Sequence, residues 1–227
     1  MDREPLDTGT GASAARRLAD YLLERGLAGA GPLAGARALA DEYIADARLE
    51  TRDARVDALI ERETLKNFTT GFVTGIGGVI TLPVAVPSAV VASWLIQARM
   101  AGAIASLYGH DLAAERTRTA VLLSLAGDVA RDALREFGLP LVPQLTHRAL
   151  EQVPGRALVE VNKRIGLQLL TRAGERSVSG FSRLVPIVGG VVGGTLDAVV
   201  CRMVGRTAKS MLRRPEGDVV EGEIVPR

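Results

Sequence analysis

The chain holds a single cysteine, Cys201, so no disulfide forms within it; this suits a reducing compartment. Aromatic residues are scarce at 4%, and the apolar mass is Ala, Val, Leu and Gly. Such small side chains fill little volume each, so a core built from them needs many close helix contacts. Histidine is limited to His110 and His147, with no Glu or Cys at ligand spacing around either. A metal site needs three or four converging ligands, so no metal is expected. Excess charge is also missing: 28 basic against 26 acidic residues leaves +2, without the basic footprint of a nucleic-acid binder. The opening MDREPLDTGTGASAARR lacks a charged region followed by an apolar one, so a cleaved secretory signal is not expected. No G-x-S-x-G elbow occurs, and Cys201 reads as a small packed residue rather than a nucleophile. No catalytic residue and no cofactor is assigned.

What is present is helical period. The 227 residues suit one domain. Residues 1–13 read as a flexible N-terminal arm, 14–212 as the helical domain and 213–227 as a disordered acidic tail. Ala15, Leu18 and Leu22 share one face of a first helix, which ends in the Gly26–Pro32 stretch. Ala36, Leu39, Tyr43, Ile44 and Ala47 group in a second. Thr51 suits the N-cap of a third, with Val56, Leu59 and Ile60 inward. A long helix is expected to end at Gly109. Asp111 is the expected cap of the next, running to about Phe137 with Leu122, Leu125, Val129 and Ala133 inward. Another starts near Pro154 and aligns Leu158, Val161, Ile165 and Leu169. No strand alternation is sustained. The expected fold is all-α, a single-domain multi-helix bundle with two glycine-rich apolar helical segments.

The first of those segments lies in a run from Asn67 to Ala98 that carries no charge over about 32 positions, more than the ~20 that one span needs. Pro83 and Pro87 interrupt it and leave pieces too short to cross a bilayer, so two core helices or a shallow re-entrant hairpin fit better. Within it stand Gly71, Gly75, Gly77 and Gly78; the second segment carries Gly189, Gly190, Gly193 and Gly194. Glycines four apart lie on one helical face and let another backbone approach. Each costs roughly 1 kcal/mol in a helix relative to Ala, which asks for a compensating contact. Three readings stay open: close crossing of core helices, a glycine-zipper hairpin that enters a bilayer, and a phosphate-cradling loop. The last is weakest, because no Gly-Lys-Ser/Thr follows and no strand precedes. Ala98, Gly102 and Ser106 offer a matching small face.

Charges inside the apolar segments need partners, since an unpaired buried charge is strongly destabilising. Arg99 and Asp197 are expected to form a structural ion pair. In residues 160–178, Asn162, Lys163, Arg164, Arg172, Glu175 and Arg176 form either an anion-binding face or a solvated one with ordinary ion pairs.

Three stretches together resemble the EcsC family: TGFVTGIGGVITLPVAVPSAVVASWLIQARMAGAIASLYGHDL at 70–112, EVNKRIGLQLLTRAGERSV at 160–178, and LVPIVGGVVGGTLDAVVCRMVGRTA at 184–208. The family is named for a protein encoded beside the two components of an ABC transporter implicated in secretion. The resemblance implies a bacterial, intracellular helical protein near a membrane and carries over no catalytic residue. The leading expectation is a non-enzymatic, cytoplasmic protein that attaches peripherally to the inner leaflet, or to a membrane protein such as an ABC transporter. Its binding residues would be Gly71, Gly75, Gly77, Gly78, Val79, Ile80, Leu82, Gly189, Gly190, Gly193 and Gly194, with Arg206, Lys209, Arg213 and Arg214 near anionic lipid. The alternative is a soluble protein with a closed core or a cavity for a lipid-like small molecule; an unrecognised hydrolase is the third. Nucleic acid is not an expected partner, and self-association stays open.

Overall fold

In the computed structural model the described residues are 8–31, 33–69, 88–127, 150, 153–178 and 186–214; the side chains of 8–10, 66–69, 88–89, 173–178 and 186–197 are not described. Among these residues are seven helices and one two-stranded hairpin. They are α1 (Thr8–Ala28), β1 (Gly29–Ala30), β2 (Leu33–Ala34), α2 (Ala36–Ile44), α3 (Arg52–Thr69), α4 (Ser88–Leu107), α5 (Glu115–Ala126), α6 (Gly155–Val178) and α7 (Pro186–Leu212). The fold is all-α, as the helical period requires.

Local chemistry accounts for several boundaries. The Thr51 side-chain oxygen accepts the Ala54 N–H at 3.1 Å and so caps α3. Helix α4 closes in a Schellman arrangement: the His110 N–H donates to the Ala105 carbonyl at 2.9 Å and the Gly109 N–H to Ser106 at 3.0 Å. Gly109 adopts φ 76°, the left-handed conformation that this closure needs. Between α1 and α2, β1 pairs with β2 antiparallel, Gly29 opposite Ala34 and Ala30 opposite Leu33.

Other boundaries differ from the sequence reading. Helix α1 begins at Thr8, inside the segment read as an arm, and α2 ends at Ile44, leaving Ile44 and Ala47 exposed. Asp111 does not cap α5; its carboxylate accepts the Ala113 N–H at 2.9 Å in a turn, and the helix begins at Glu115. Helix α5 stops at Ala126 rather than near Phe137, because Gly127 takes φ 60° and turns the chain out of helical geometry. Val129 and Ala133 lie outside the described residues. Leu122 and Leu125 are buried, but so are Val121, Leu123 and Ser124, so α5 from Thr119 onward is enclosed on all sides instead of presenting one stripe.

Helix α4 is the axis of the bundle. Every residue from Trp94 to Tyr108 is buried, and α1, α2, α3, α5 and α7 all pack on it. The window Val90–Leu107 is the one described helix long and apolar enough to cross a membrane, and 89% of it is buried inside the protein. Its alanines and Gly102 explain why so many helices reach it. A Cβ on Gly26 of α1 would lie 2.7 Å from the Ala98 side chain, and one on Gly102 would meet Leu27 and lie 2.9 Å from Ala36. The small face of α4 expected to receive a glycine-rich segment therefore receives α1 and α2 at Ala98 and Gly102. Leu158, Val161, Ile165 and Leu169 of α6 are all buried, as their spacing predicts.

Candidate functional site

Helices α3 and α7 run antiparallel and are clamped at one end. Arg213 donates to Asp53 at 2.5 Å and Lys209 to Asp57 at 2.6 Å. One turn further along, the bare backbone of Gly205 lies against Ile60, where a Cβ would come within 2.8 Å of the isoleucine side chain. The same end ties in α4. The Tyr108 hydroxyl donates to Asp53 at 2.5 Å, and His110 Nε2–H donates to the Leu212 carbonyl at 2.7 Å. Arg214 donates to the Gly109 carbonyl at 3.2 Å. Arg213 and Arg214 thus belong to this joint and not to a loose tail; residues 215–227 lie outside the described residues.

Asp53 is the centre of the joint. Burial alone would raise its pKa, but the hydrogen bonds from Tyr108 and Arg213 outweigh that and hold it below the usual aspartate value. Burial, then the bond to Asp53, pushes the Tyr108 hydroxyl far above the ordinary tyrosine range. A depressed carboxylate pKa contributes stability that is full above the unfolded value of about 3.9 and is lost as pH falls through the folded value. Melting followed against pH is therefore expected to show Asp53→Asn less stable than wild type at neutral pH, with a shallower decline below about pH 4. Parallel declines for the two proteins would overturn the assignment.

Higher in the bundle, Arg99 meets Glu63 of α3, Nη2 to Oε2 at 2.6 Å, with side-chain exposures of 9% and 2%. Arg99 also donates to the Ala34 carbonyl at 3.4 Å, which holds the hairpin against α4. The partner shown for Arg99 is thus Glu63, not the expected Asp197, whose side chain lies outside the described residues. Burial and the Glu63 carboxylate together raise the pKa of the Tyr43 hydroxyl nearby. The Sγ of Cys201 lies 3.9 Å from Met100 Sδ, a packed thiol as expected.

These pairings set directions. Arg99 of α4 and Tyr108 just past its end meet Glu63 and Asp53 of α3, so α4 is antiparallel to α3; Met100 of α4 and His110 beyond it meet Cys201 and Leu212, so α4 is parallel to α7. The C-terminal end of α3 and the N-terminal ends of α4 and α7 consequently share one end of the bundle. Helix α7 begins there with Gly189, Gly190, Gly193 and Gly194. Gly71, Gly75, Gly77, Gly78, Val79, Ile80 and Leu82 lie outside the described residues, as does the packing around the four glycines of α7.

Alongside the Gly205–Ile60 contact, α3 and α7 line an open groove of about 660 Å³. Ala58, Thr64, Leu65, Ala198 and Val199 give it apolar walls, and Glu61, Arg62 and Arg202 line it as well. Leu65 is 62% exposed, Val199 64% and Met203 47%. Positions 58, 61, 62 and 65 share one helical face, and Leu65 is not among the residues that the apolar period of α3 singles out.

The polar run on α6 divides into ordinary contacts. Asn162 donates to Glu115 at 3.0 Å, Lys163 lies 3.6 Å from Glu160, and Arg172 donates to the Ala126 carbonyl at 3.2 Å. The first and last join α6 to α5, the Lys163–Glu160 pair stays within α6, and none converges on a site; the Glu175 and Arg176 side chains lie outside the described residues. Among the described residues no three His, Cys, Asp or Glu converge. No curated protein and no solved structure matches the chain. The profile of the EcsC protein family matches residues 33–214, which takes in the buried Arg99–Glu63 pair, the Asp53 joint and the α3/α7 groove; the chain belongs to the EcsC family.

Proposed function

We propose that this chain is a non-enzymatic helical protein that attaches peripherally to the cytoplasmic leaflet of a membrane, or to a protein embedded in it. Attachment uses the end of the bundle where α3 finishes and α4 and α7 begin. The observation that carries this reading is that the C-terminal end of α3, the N-terminal end of α4 and the start of α7, which carries the second glycine-rich segment, lie at one end of the bundle. Leu65 and Val199, the two most exposed large aliphatic residues described, lie beside the same end. Peripheral attachment, rather than a span, suits a bundle whose one spanning-length described helix is committed to the core.

The basic contribution is smaller than the sequence suggests. Lys209 and Arg213 are engaged with Asp57 and Asp53, and Arg214 with a carbonyl, at the opposite end of α7. Arg202 and Arg206 are exposed nearer the groove and are the cations of α7 best able to meet anionic lipid, each worth about 1 kcal/mol at the surface. Flotation of the full chain with liposomes tests the reading. Partial co-flotation is expected, increasing with anionic lipid and weakening modestly as salt shortens the Debye length. A chain that stays monodisperse without detergent and never floats overturns attachment; one extracted only by detergent overturns its peripheral character.

A further inference from the structure

We infer that the groove between α3 and α7 is a binding site for a single-chain anionic amphiphile, a long-chain fatty acid. The site is independent of bilayer attachment, because its walls are formed by two helices already clamped together. Arg213–Asp53, Lys209–Asp57 and the Gly205–Ile60 contact hold the two helices together, and the groove runs along them on the face that carries Ala58, Leu65, Ala198 and Val199.

Volume and chemistry point to the same occupant. About 660 Å³ falls within the range of roughly 300–1,000 Å³ typical of small-ligand sites. The side chains of Ala58, Leu65, Ala198 and Val199 offer no polar atom, so the body of a ligand there is hydrocarbon. Two aliphatic residues on facing helices, each more than 60% exposed, gain apolar contact when such a chain lies between them. The charged lining is two arginines against one carboxylate, Arg62 and Arg202 against Glu61. That balance selects an anionic head over a cationic one, and guanidinium forks suit a carboxylate. Thr64, which also lines the groove, has a buried hydroxyl with no hydrogen-bond partner and so can donate to the same head group. An acyl chain along the aliphatic walls with its carboxylate at Arg202 and Arg62 satisfies every one of these features.

Titration of the full chain with a fluorescent long-chain fatty acid, in the absence of vesicles, tests the site. Saturable binding at one per chain is expected, displaced by unlabelled acid about tenfold better than by the alcohol of equal length. Arg202→Gln is expected to remove most of that preference and leave displacement by the alcohol unchanged. Ala198→Phe fills the groove and should abolish binding of both; its melting curve shows whether it folds. Val199→Asp, at an exposed position, places a charge in the wall without repacking the core and should weaken binding of the acid more than tenfold. Equal displacement by acid and alcohol, or acid binding that survives both Val199→Asp and a folded Ala198→Phe, overturns the proposal. Flotation of Val199→Asp is read separately: fatty-acid binding by wild type in a chain that never floats supports the groove and counts against membrane attachment alone.

Discussion

Replacing Glu63 with alanine is expected to destabilise the protein by about 3–5 kcal/mol, because it strands the Arg99 guanidinium among buried helices. Glu63 is the carboxylate at 2.6 Å from Arg99, and both side chains are almost wholly removed from water. The other described contact of Arg99, to the Ala34 carbonyl, is long at 3.4 Å and brings no opposite charge. Arg99→Met alone should cost less, since a buried glutamate can take up a proton while arginine stays charged. The double variant Glu63→Ala with Arg99→Met should lose less than the sum of the two single changes, because it leaves no unpaired charge among the buried helices. Urea unfolding of the four proteins measures the coupling. Losses that add to within about 0.5 kcal/mol would show that the two groups do not depend on each other.

Gly166→Leu is expected to prevent α1 and α6 from docking. At this crossing a Cβ would meet the Ala15 carbonyl oxygen and lie 2.8 Å from the Ala15 carbonyl carbon. The obstacle is backbone, so no rotamer change relieves it, and the two helices must separate. Even Gly166→Ala should be destabilising, although alanine favours helix over glycine by roughly 1 kcal/mol, because overpacking of this kind costs about 1–3 kcal/mol. Gly11 supplies the control. It lies in α1 with nothing within 4 Å of its Cβ position, so Gly11→Ala should stabilise by about 0.5–1 kcal/mol. Thermal melting of these variants gives opposite signs for one chemical change. If Gly166→Ala melts at or above wild type, the crossing is looser than described.

The different surroundings of Gly11 and Gly166 show where reading a glycine from sequence stops. Repeated glycines at four-residue spacing drew attention to positions 71–78 and 189–194, whose packing lies outside the described residues; among the described helical glycines the close approaches are at Gly26, Gly102, Gly166 and Gly205, none of them in a four-residue repeat. A lone glycine that marks a helix crossing looks the same as one that marks nothing, because the difference is the neighbour. Residue 102 did stand out, as part of a small face, but the helices filling that face come from far earlier in the chain.

Sequence alone determined the helical class, the inward face of α6, the Thr51 cap and the Gly109 closure. Each depends on residues within one or two turns, where period and hydrogen-bonding side chains act locally. It also determined family membership, through three stretches that the matched region spans. The stop of α5 at Gly127 was not legible in that way, since a single glycine in a helical pattern is tolerated as often as it terminates. Only the tertiary structure decided the partners of the charges. Glu63 lies 36 positions from Arg99, Asp57 152 from Lys209 and Asp53 160 from Arg213. Which carboxylate meets which cation follows from the faces that α3, α4 and α7 turn toward one another, and no short-range pattern encodes that. The groove has the same origin: Leu65 and Val199 are unremarkable on their own helices, and they line one cleft only because α7 packs against α3, with Gly205 against Ile60.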